Sequence, residues 1–212
     1  MTMPITGTRH KGDSGEDQRI RLFRNDFLER TTTVSPIAFG VTWLGMLALA
    51  VYASWGLMSF IESVGLALLG LFLWSLFEYA MHRFVFHMKL TSNLGRAFLF
   101  LSHGNHHTQP NDSLRNLMPP LISIAINGTV WLLLYLVAGP ISSVIFIGFG
   151  IGYVIYDSVH YAVHQFPLRH GLLGRLKRHH IRHHYAREEG NFSITAIFWD
   201  RVFGTEVATK RR

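Results

Sequence analysis

Residues 63–87 read SVGLALLGLFLWSLFEYAMHRFVFH. The first nineteen, 63–81, contain no lysine or arginine. As a helix rising 1.5 Å per residue they reach about 28 Å, close to the ~30 Å thickness of a bilayer core. The run then passes straight into His82 and His87. A membrane-length apolar helix that ends on a pair of imidazoles sets the question for the rest of the chain: whether both halves of the pattern recur.

The apolar half does. Stretches of similar length cover 34–57, 118–138 and 141–163, in a chain of 212 residues that is 49% hydrophobic and only 16% charged. All 20 lysines and arginines lie outside the four stretches: six in 1–30, four in 82–116 and ten in 165–212, with none in the connections near 57–63 and 138–141. Placing 1–30, 82–116 and 165–212 on one side puts every positive charge there, and the positive-inside rule makes that side the cytoplasm. The first stretch follows a charged, acid-containing segment, unlike a cleaved signal peptide. The expected fold is an all-α integral membrane protein of four transmembrane helices with a cytosolic histidine-rich helical cap. Both termini face the cytosol, in a bacterial inner membrane or the endoplasmic reticulum. Residues 1–30 form a cytosolic segment, polar and too poor in apolar residues to fold over its first twenty. Residues 31–212 form one membrane domain, its cap built from 82–116 and 164–212. The net charge of +7, distributed in this way, speaks for membrane orientation and against nucleic acid.

Residues 20–33 read as a short helix on the membrane surface or a solvated lead-in. Residues 168–187 place leucines among basic residues at helical spacing and suit a helix on the cytosolic surface. The tail NFSITAIFWDRVFGT, 191–205, is too apolar to hang free and is expected to pack back on the domain or the interface. Trp74, Trp131, Trp199, Tyr79, Tyr156 and Tyr161 read as interface or packing residues.

Cysteine is absent, which excludes disulfides, thiolate metal sites, cysteine nucleophiles and iron–sulfur clusters. Any metal is held by nitrogen or oxygen. The chain has thirteen histidines. His10 and His170 are isolated, and eleven fall in four clusters at or beyond the cytosolic ends of the spans: His82 and His87; His103, His106 and His107; His160 and His164; His179, His180, His183 and His184. Residues three or four apart share a helix face, which suits two imidazoles on one metal or on neighbouring metals. His82 and His87, five apart, lie about 140° round an ideal helix. They share a site only if the helix ends between them; otherwise each serves a different metal.

A lone histidine is more often a satisfied core or interface residue than a ligand. Four clusters on one membrane face point to metal. Ten or so nitrogens exceed one ion's needs, and two ions with about five each leave a position for oxygen or water, whereas structural zinc closes its site with four ligands. Imidazole suits iron, zinc, copper and nickel alike. At the boundary of a bundle facing acyl chains, attack on an unactivated C–H bond requires a redox metal, and iron is the consistent choice. On 177–184, KRHHIRHH, Lys177, Arg178 and Arg182 are expected to face headgroups or solvent while the imidazoles face inward. Glu78, four before His82, and Asp157, three before His160, are carboxylates at membrane depth, where they are costly and usually functional. Each either accepts an imidazole N–H and orients a ligand or bonds a neighbouring helix or backbone. Asp112 and Arg115 pair locally to shape their loop or touch a lipid headgroup.

The ordered motifs HxxxxH, HxxHH, HxxxH and HxxHH resemble those of the membrane di-iron hydroxylase superfamily of fatty acid, sterol and carotenoid hydroxylases. LFEYAMHRFVFH (76–87), HGNHHTQPNDSLRNLMPP (103–120), GYVIYDSVHYAVH (152–164), LKRHHIRHHY and the tail are most similar to the fatty acid 2-hydroxylase branch, from about 70 to 205. The resemblance implies two metal ions on His82, His87, His103, His106, His107, His160, His164, His180, His183 and His184. These are iron in the working enzyme, though zinc can replace it in purified protein. His179 receives no ligand role and is a neighbour of the ligands, with Glu78 and Asp157. No catalytic residue beyond the metal centre is implied. The implied reaction is an O₂-dependent monooxygenation at C2 of a fatty acyl chain, free or lipid-linked as in a sphingolipid. C2 lies at headgroup depth, where His82 and His160 are expected. Many eukaryotic relatives carry a fused cytochrome b5 domain with an HPGG-type motif, which this sequence lacks. Electrons are therefore expected from an external carrier, a ferredoxin or cytochrome b5 with its reductase. The same centre acting on a carotenoid, a sterol or an amino-acid-linked lipid is the alternative. A metal transporter or storage protein is a remote one, since a transporter would carry ligands within its spans and near both faces.

Overall fold

The computed structural model describes residues 19–207. His10 and nearly all of the polar segment 1–20 fall outside them. The described residues are all-helical, with no strand among them. In order they form α1 (Asp26–Arg30), α2 (Pro36–Ser54), α3 (Phe60–Ala80), α4 (Asn93–Leu99), α5 (Asn105–Thr108), α6 (Pro120–Ala138), α7 (Ser142–Gln165), α8 (Gly171–Tyr185) and α9 (Phe198–Val202). Two π-helical turns, Met81–Phe86 and Phe100–Gly104, extend α3 and α4.

The helix starts are written locally. Ser35 caps α2 with Pro36 at its first position, and Ser59 with Glu62 forms a capping box on α3, each satisfying amides that the first turn leaves free. The helix expected within 20–33 is only the single turn α1, capped by Asn25. Three helical segments are long and apolar enough to cross a membrane: Pro36–Ser54, Phe60–Phe86 and Pro120–Gln165. The last, 46 residues, folds back at Gly139, whose φ of 61° glycine adopts without strain. Its halves α6 and α7 then pack antiparallel: Trp131 stacks on Phe146 at 4.7 Å, and Ser123 bonds the Tyr153 hydroxyl at 3.0 Å. Outward faces of the long helices are apolar, with Leu44 73% and Val137 89% exposed, as a lipid-facing surface requires.

Helix α7 is the hub and packs most extensively on α3. The two run parallel, since Gly70 meets Ile145 and Phe149 while Trp74 meets Gly152 and Tyr153. Their approach depends on missing side chains. A Cβ on Gly70 would stand 1.9 Å from the Ile145 carbonyl oxygen, and one on Gly148 1.8 Å from that of Ala67. Around this crossing Trp43, Trp74, Phe149 and Tyr153 form the buried aromatic core. Trp43 stacks on Tyr153 at 4.5 Å, and Trp74 meets Phe149 edge-on at 5.1 Å. The parallel register brings the C-terminal ends of α3 and α7, and so His82 and His160, to the same end of the bundle.

The tail packs back on the domain. Phe192 and Ile194 are buried, and Trp199 donates to Ser75 at 3.1 Å. The loop 109–117 is tied to the N-terminal segment. Arg19 bonds Asp112 at 2.6 Å, and Arg115 bonds Glu29 at 2.6 Å and donates to the Ile20 carbonyl. The side chains of Asp112 and Arg115 thus each reach the N-terminal segment, while the Arg115 amide donates to the Asp112 carbonyl at 3.0 Å and closes the loop locally.

Candidate metal centre

Ten imidazoles converge in two groups of five: His82, His87, His103, His107 and His183, and His106, His160, His164, His180 and His184. Within each group the nitrogens lie within 4.8 Å of one another, and each group could hold a metal ion. The groups interleave by a simple rule. Pairs four apart on a helix share a group: 103 with 107, 160 with 164, 180 with 184. The middle histidine of each HxxHH motif, His106 and His183, crosses to the other group.

His82 and His87 stand in one group although α-helical spacing would separate them. The helix does not end between them. It widens into the π-helical turn Met81–Phe86, closed by His87 N donating to the His82 carbonyl at 3.2 Å. A turn with i→i+5 bonding brings residues five apart towards one face.

Eight Nε2···Nε2 separations within the groups fall at 2.9–3.1 Å. They cannot all be ordinary hydrogen bonds. His106 presents Nδ1 to the Asn116 side-chain oxygen at 3.2 Å, so the neutral ring offers only a lone pair at Nε2 to both His160 and His184. His82 and His183 likewise donate from Nδ1 to the carbonyls of Phe192 and Gly190. Between His82 and His183, His103 and His107 would both have to donate outward from Nε2 and would then face each other donor to donor at 2.9 Å. Protonation does not resolve the clash. Burial, then the neighbouring imidazoles, pushes His103, His106 and His180 well below the usual histidine value and His107 to about 3. Burial lowers His183 to about 4. Neutral rings aiming lone pairs at a common centre fit a cation. With metal–nitrogen bonds of ~2.0–2.1 Å, ligands at right angles lie ~2.9 Å apart and tetrahedral ones ~3.4 Å. The observed separations are short enough for the five nitrogens of each group to hold one ion.

The partners of these rings come from segments that the histidine pattern does not reveal. Asn116 is buried, and its amide nitrogen donates to the Pro110 carbonyl at 2.8 Å, which turns its oxygen to His106. Gly190 and Phe192 flank Asn191, which has φ 54°, a left-handed conformation asparagine tolerates. A Cβ on Gly190 would stand 2.4 Å from the Thr205 carbonyl oxygen, so glycine is required there. Asp200, fully buried, accepts from Phe192 N at 2.8 Å, Ser193 N at 2.9 Å, Thr205 Oγ1 at 2.7 Å and His179 Nε2 at 3.0 Å. Burial alone would raise its pKa, but His179 and the other donors outweigh this and hold it below the usual carboxylate value. The adjacent charges Asp200 and Arg201 inside the otherwise largely apolar run 194–203 were the available sequence signal for Asp200; Asn116 carried none beyond its place before the third apolar stretch.

Glu78 and Asp157 do not touch imidazoles. Glu78 accepts from the amides of Ile194 and Thr195 at 2.6 and 2.8 Å, and Asp157 from Met118 N at 3.0 Å and Tyr153 at 3.1 Å. Each anchors a segment whose own oxygens reach the histidines. His179 lies outside both groups, against Asp200, and His170 is exposed on the connection before α8. On α8 the imidazoles 179, 180 and 183 are buried, while Arg175 and Arg178 are exposed and Lys177 and Arg182 lie part-way out.

A cleft of about 390 Å³ opens beside the His82 group, between Phe86, Leu99 and Phe100 and the rings of His87, His103 and His107. A narrower crevice of about 40 Å³ lies between α3, α6 and α7, bounded by Trp74, Phe77, Met81, Tyr156 and again Phe86. Phe86 therefore stands between the two, its ring stacked on His103 at 5.2 Å.

Residues 67–205 match the family described as fatty acid hydroxylase. The chain is 35% identical over 192 residues to a dihydroceramide fatty acyl 2-hydroxylase of Arabidopsis thaliana, covering 90% of this chain and 81% of the relative. Identity is 33% to the fatty acid 2-hydroxylase of Homo sapiens and 37% to a ceramide very long chain fatty acid hydroxylase of Schizosaccharomyces pombe, covering 88% and 93% of this chain but only 56% and 57% of those proteins. The solved structure described as full-length scs7p, with only its hydroxylase domain visible, superposes with a TM-score of 0.75 at 31% identity, over 88% of this chain and 72% of that one. The chain belongs to the fatty acid hydroxylase family.

Proposed function

We propose that this protein is a membrane monooxygenase that hydroxylates C2 of a fatty acyl chain, free or carried on a sphingolipid-type lipid. The observation that carries the reading is the apposition of buried and half-buried imidazoles in two groups of five beside a cleft with an apolar wall, in a chain whose relatives are named fatty acyl 2-hydroxylases and ceramide hydroxylases. His82, His87, His103, His107 and His183 hold one iron, and His106, His160, His164, His180 and His184 the other; zinc can occupy the same nitrogens. Bound there, iron supplies the activation of O₂ that insertion into a C–H bond demands. The protein's own part is positional. Phe86, Leu99 and Phe100 offer an apolar wall to the acyl chain, and the fixed Nδ1 protons of His82, His106 and His183 keep Nε2 free for the metal. Electrons come from an external carrier.

The protein crosses the membrane four times, through α2, α3, α6 and α7. The turn at Gly139 separates the last two crossings, and both termini and the histidine cap face the cytosol. The confinement of lysine and arginine to one side supports this.

The decisive experiment is ¹⁸O₂ labelling with an added reductase and carrier, in membranes or a reconstituted system. Label in a 2-hydroxyacyl group is expected, with iron supporting turnover and zinc not. Label in a carotenoid or sterol ring with unlabelled acyl chains overturns the substrate; no label in any lipid overturns the enzyme.

A further inference from the structure

The oxygens that orient the imidazoles come from two segments that share no residue. The His82 group is held by the carbonyls of Phe192 and Gly190. Their segment is fixed by Asp200 through the amides of Phe192 and Ser193, by Glu78 through those of Ile194 and Thr195, and by Asn191, which donates to the His179 carbonyl at 3.1 Å. The His106 group is held by Asn116, whose side-chain oxygen meets His106 Nδ1 at 3.2 Å. The Asn116 segment is fixed by its own bond to Pro110 and by Asp157 through Met118 N. Glu78 and Asp157 occupy matching places on the parallel helices α3 and α7, one turn before His82 and His160, and each anchors the segment serving its own group.

We infer that Asp200 and Asn116 are positioning residues, each for one metal ion: Asp200, through the 190–193 segment, for the ion of the His82 group, and Asn116 for the ion of the His106 group. The inference rests on the ten-histidine reading given under the proposed function. A ligand whose Nδ1 has lost its acceptor turns more freely and presents its lone pair less often. Loss of such a partner typically weakens metal binding about 10–100-fold. Because the two segments are separate, the weakening falls on one ion and spares the other, which general destabilisation of the cap would not do.

The test is metal content per chain of the full-length protein in detergent after graded chelator, with helicity and size-exclusion behaviour confirming the fold. Wild type should hold two ions, and His87→Ala and His164→Ala one each, calibrating the two groups. Asn116→Ala should give up one ion at about 10–100-fold lower chelator and keep the other. Combined with His164→Ala it should still keep one; combined with His87→Ala, none. Asp200→Asn should show the mirror pattern, keeping one ion with His87→Ala and none with His164→Ala. Should Asp200→Asn not fold, Thr205→Val, which removes one donor to Asp200, takes its place with the same expected pattern. Loss of both ions together in Asn116→Ala or in the folded Asp200 or Thr205 variant, or retention of both at wild-type chelator resistance, overturns the inference. A wild-type protein that holds fewer than two ions overturns the ten-histidine reading itself.

Discussion

His106 and His107 are adjacent in the chain, yet their Nε2 atoms serve different groups: His106 faces His160 at 2.9 Å, and His107 faces His103 at 2.9 Å. Rings about 100° apart on one helical turn straddle the boundary between the two centres. The same division recurs at His183 and His184 on α8, so α5 and α8 each donate to both groups. The groups also touch directly, with His107 and His184 ring centroids 4.3 Å apart.

Replacing His106 or His107 by alanine is therefore expected to abolish hydroxylation in both cases but to remove different ions. Each single variant should retain about one metal per chain, and the double variant none. Elemental analysis of purified protein checks it; a double variant that still holds one ion would show that the neighbours share a centre.

Removing both metals should lower the unfolding temperature. Nε2 atoms crowded at 2.9–3.1 Å suit a cation between them, and an ion bound solely to the folded state adds RT ln(1 + [L]/Kd) to stability. Scanning calorimetry in detergent, before and after chelation and again after iron is restored, should show a fall and a recovery.

Gly148→Ala should be severely destabilising, because the added methyl lands 1.8 Å from the Ala67 carbonyl oxygen where α3 and α7 cross. Overpacking of this kind costs about 1–3 kcal/mol and more where backbone must shift. Gly65→Ala, with nothing within 4 Å of the new carbon, should fold like wild type. Thermal unfolding of the two variants side by side is the measurement.

Arg115→Ala should loosen the N-terminal segment. Arg115 is nearly buried, pairs with Glu29 at 2.6 Å and donates to the Ile20 carbonyl. Burial lowers its pKa, and Glu29, the next largest influence, opposes the shift. Breaking a buried pair from one side costs about 3–5 kcal/mol. Limited trypsin digestion should cut at Arg21, Arg24 or Arg30 much sooner than in wild type, while His170→Ala, on an exposed connection, should leave both cleavage and activity unchanged.

The apolar stretches, the one-sided charge and the histidine clusters were legible because each depends on local chemistry. A segment of about twenty apolar residues forms the same helix wherever it is inserted, and spacing by three or four already places imidazoles on one face. The four stretches accordingly recur as α2, α3, α6 and α7, with ends moved by a few residues, and all ten histidines of the four motifs come together. The division of those ten into groups required the assembled fold. Whether His82 and His87 share a centre depends on a π-helical turn that i,i+4 bonding would not produce, and the pairing of His82 with His183 depends on how α8 crosses the end of α3. The partners of Glu78 and Asp157 are backbone amides 116 and 39 residues away in sequence, brought there by the parallel packing of α3 and α7 over Gly70 and Gly148. Asn116, Phe192 and Asp200 lie inside the stretches 103–120 and 191–205 that resemble the family, and Gly190 just before the second, but no spacing gives them a role, because a carbonyl or amide oxygen orients a ring by where it is held and not by what residue bears it. Composition and spacing determined which groups could meet at a metal; long-range packing alone decided how those groups divide and what holds each one in place.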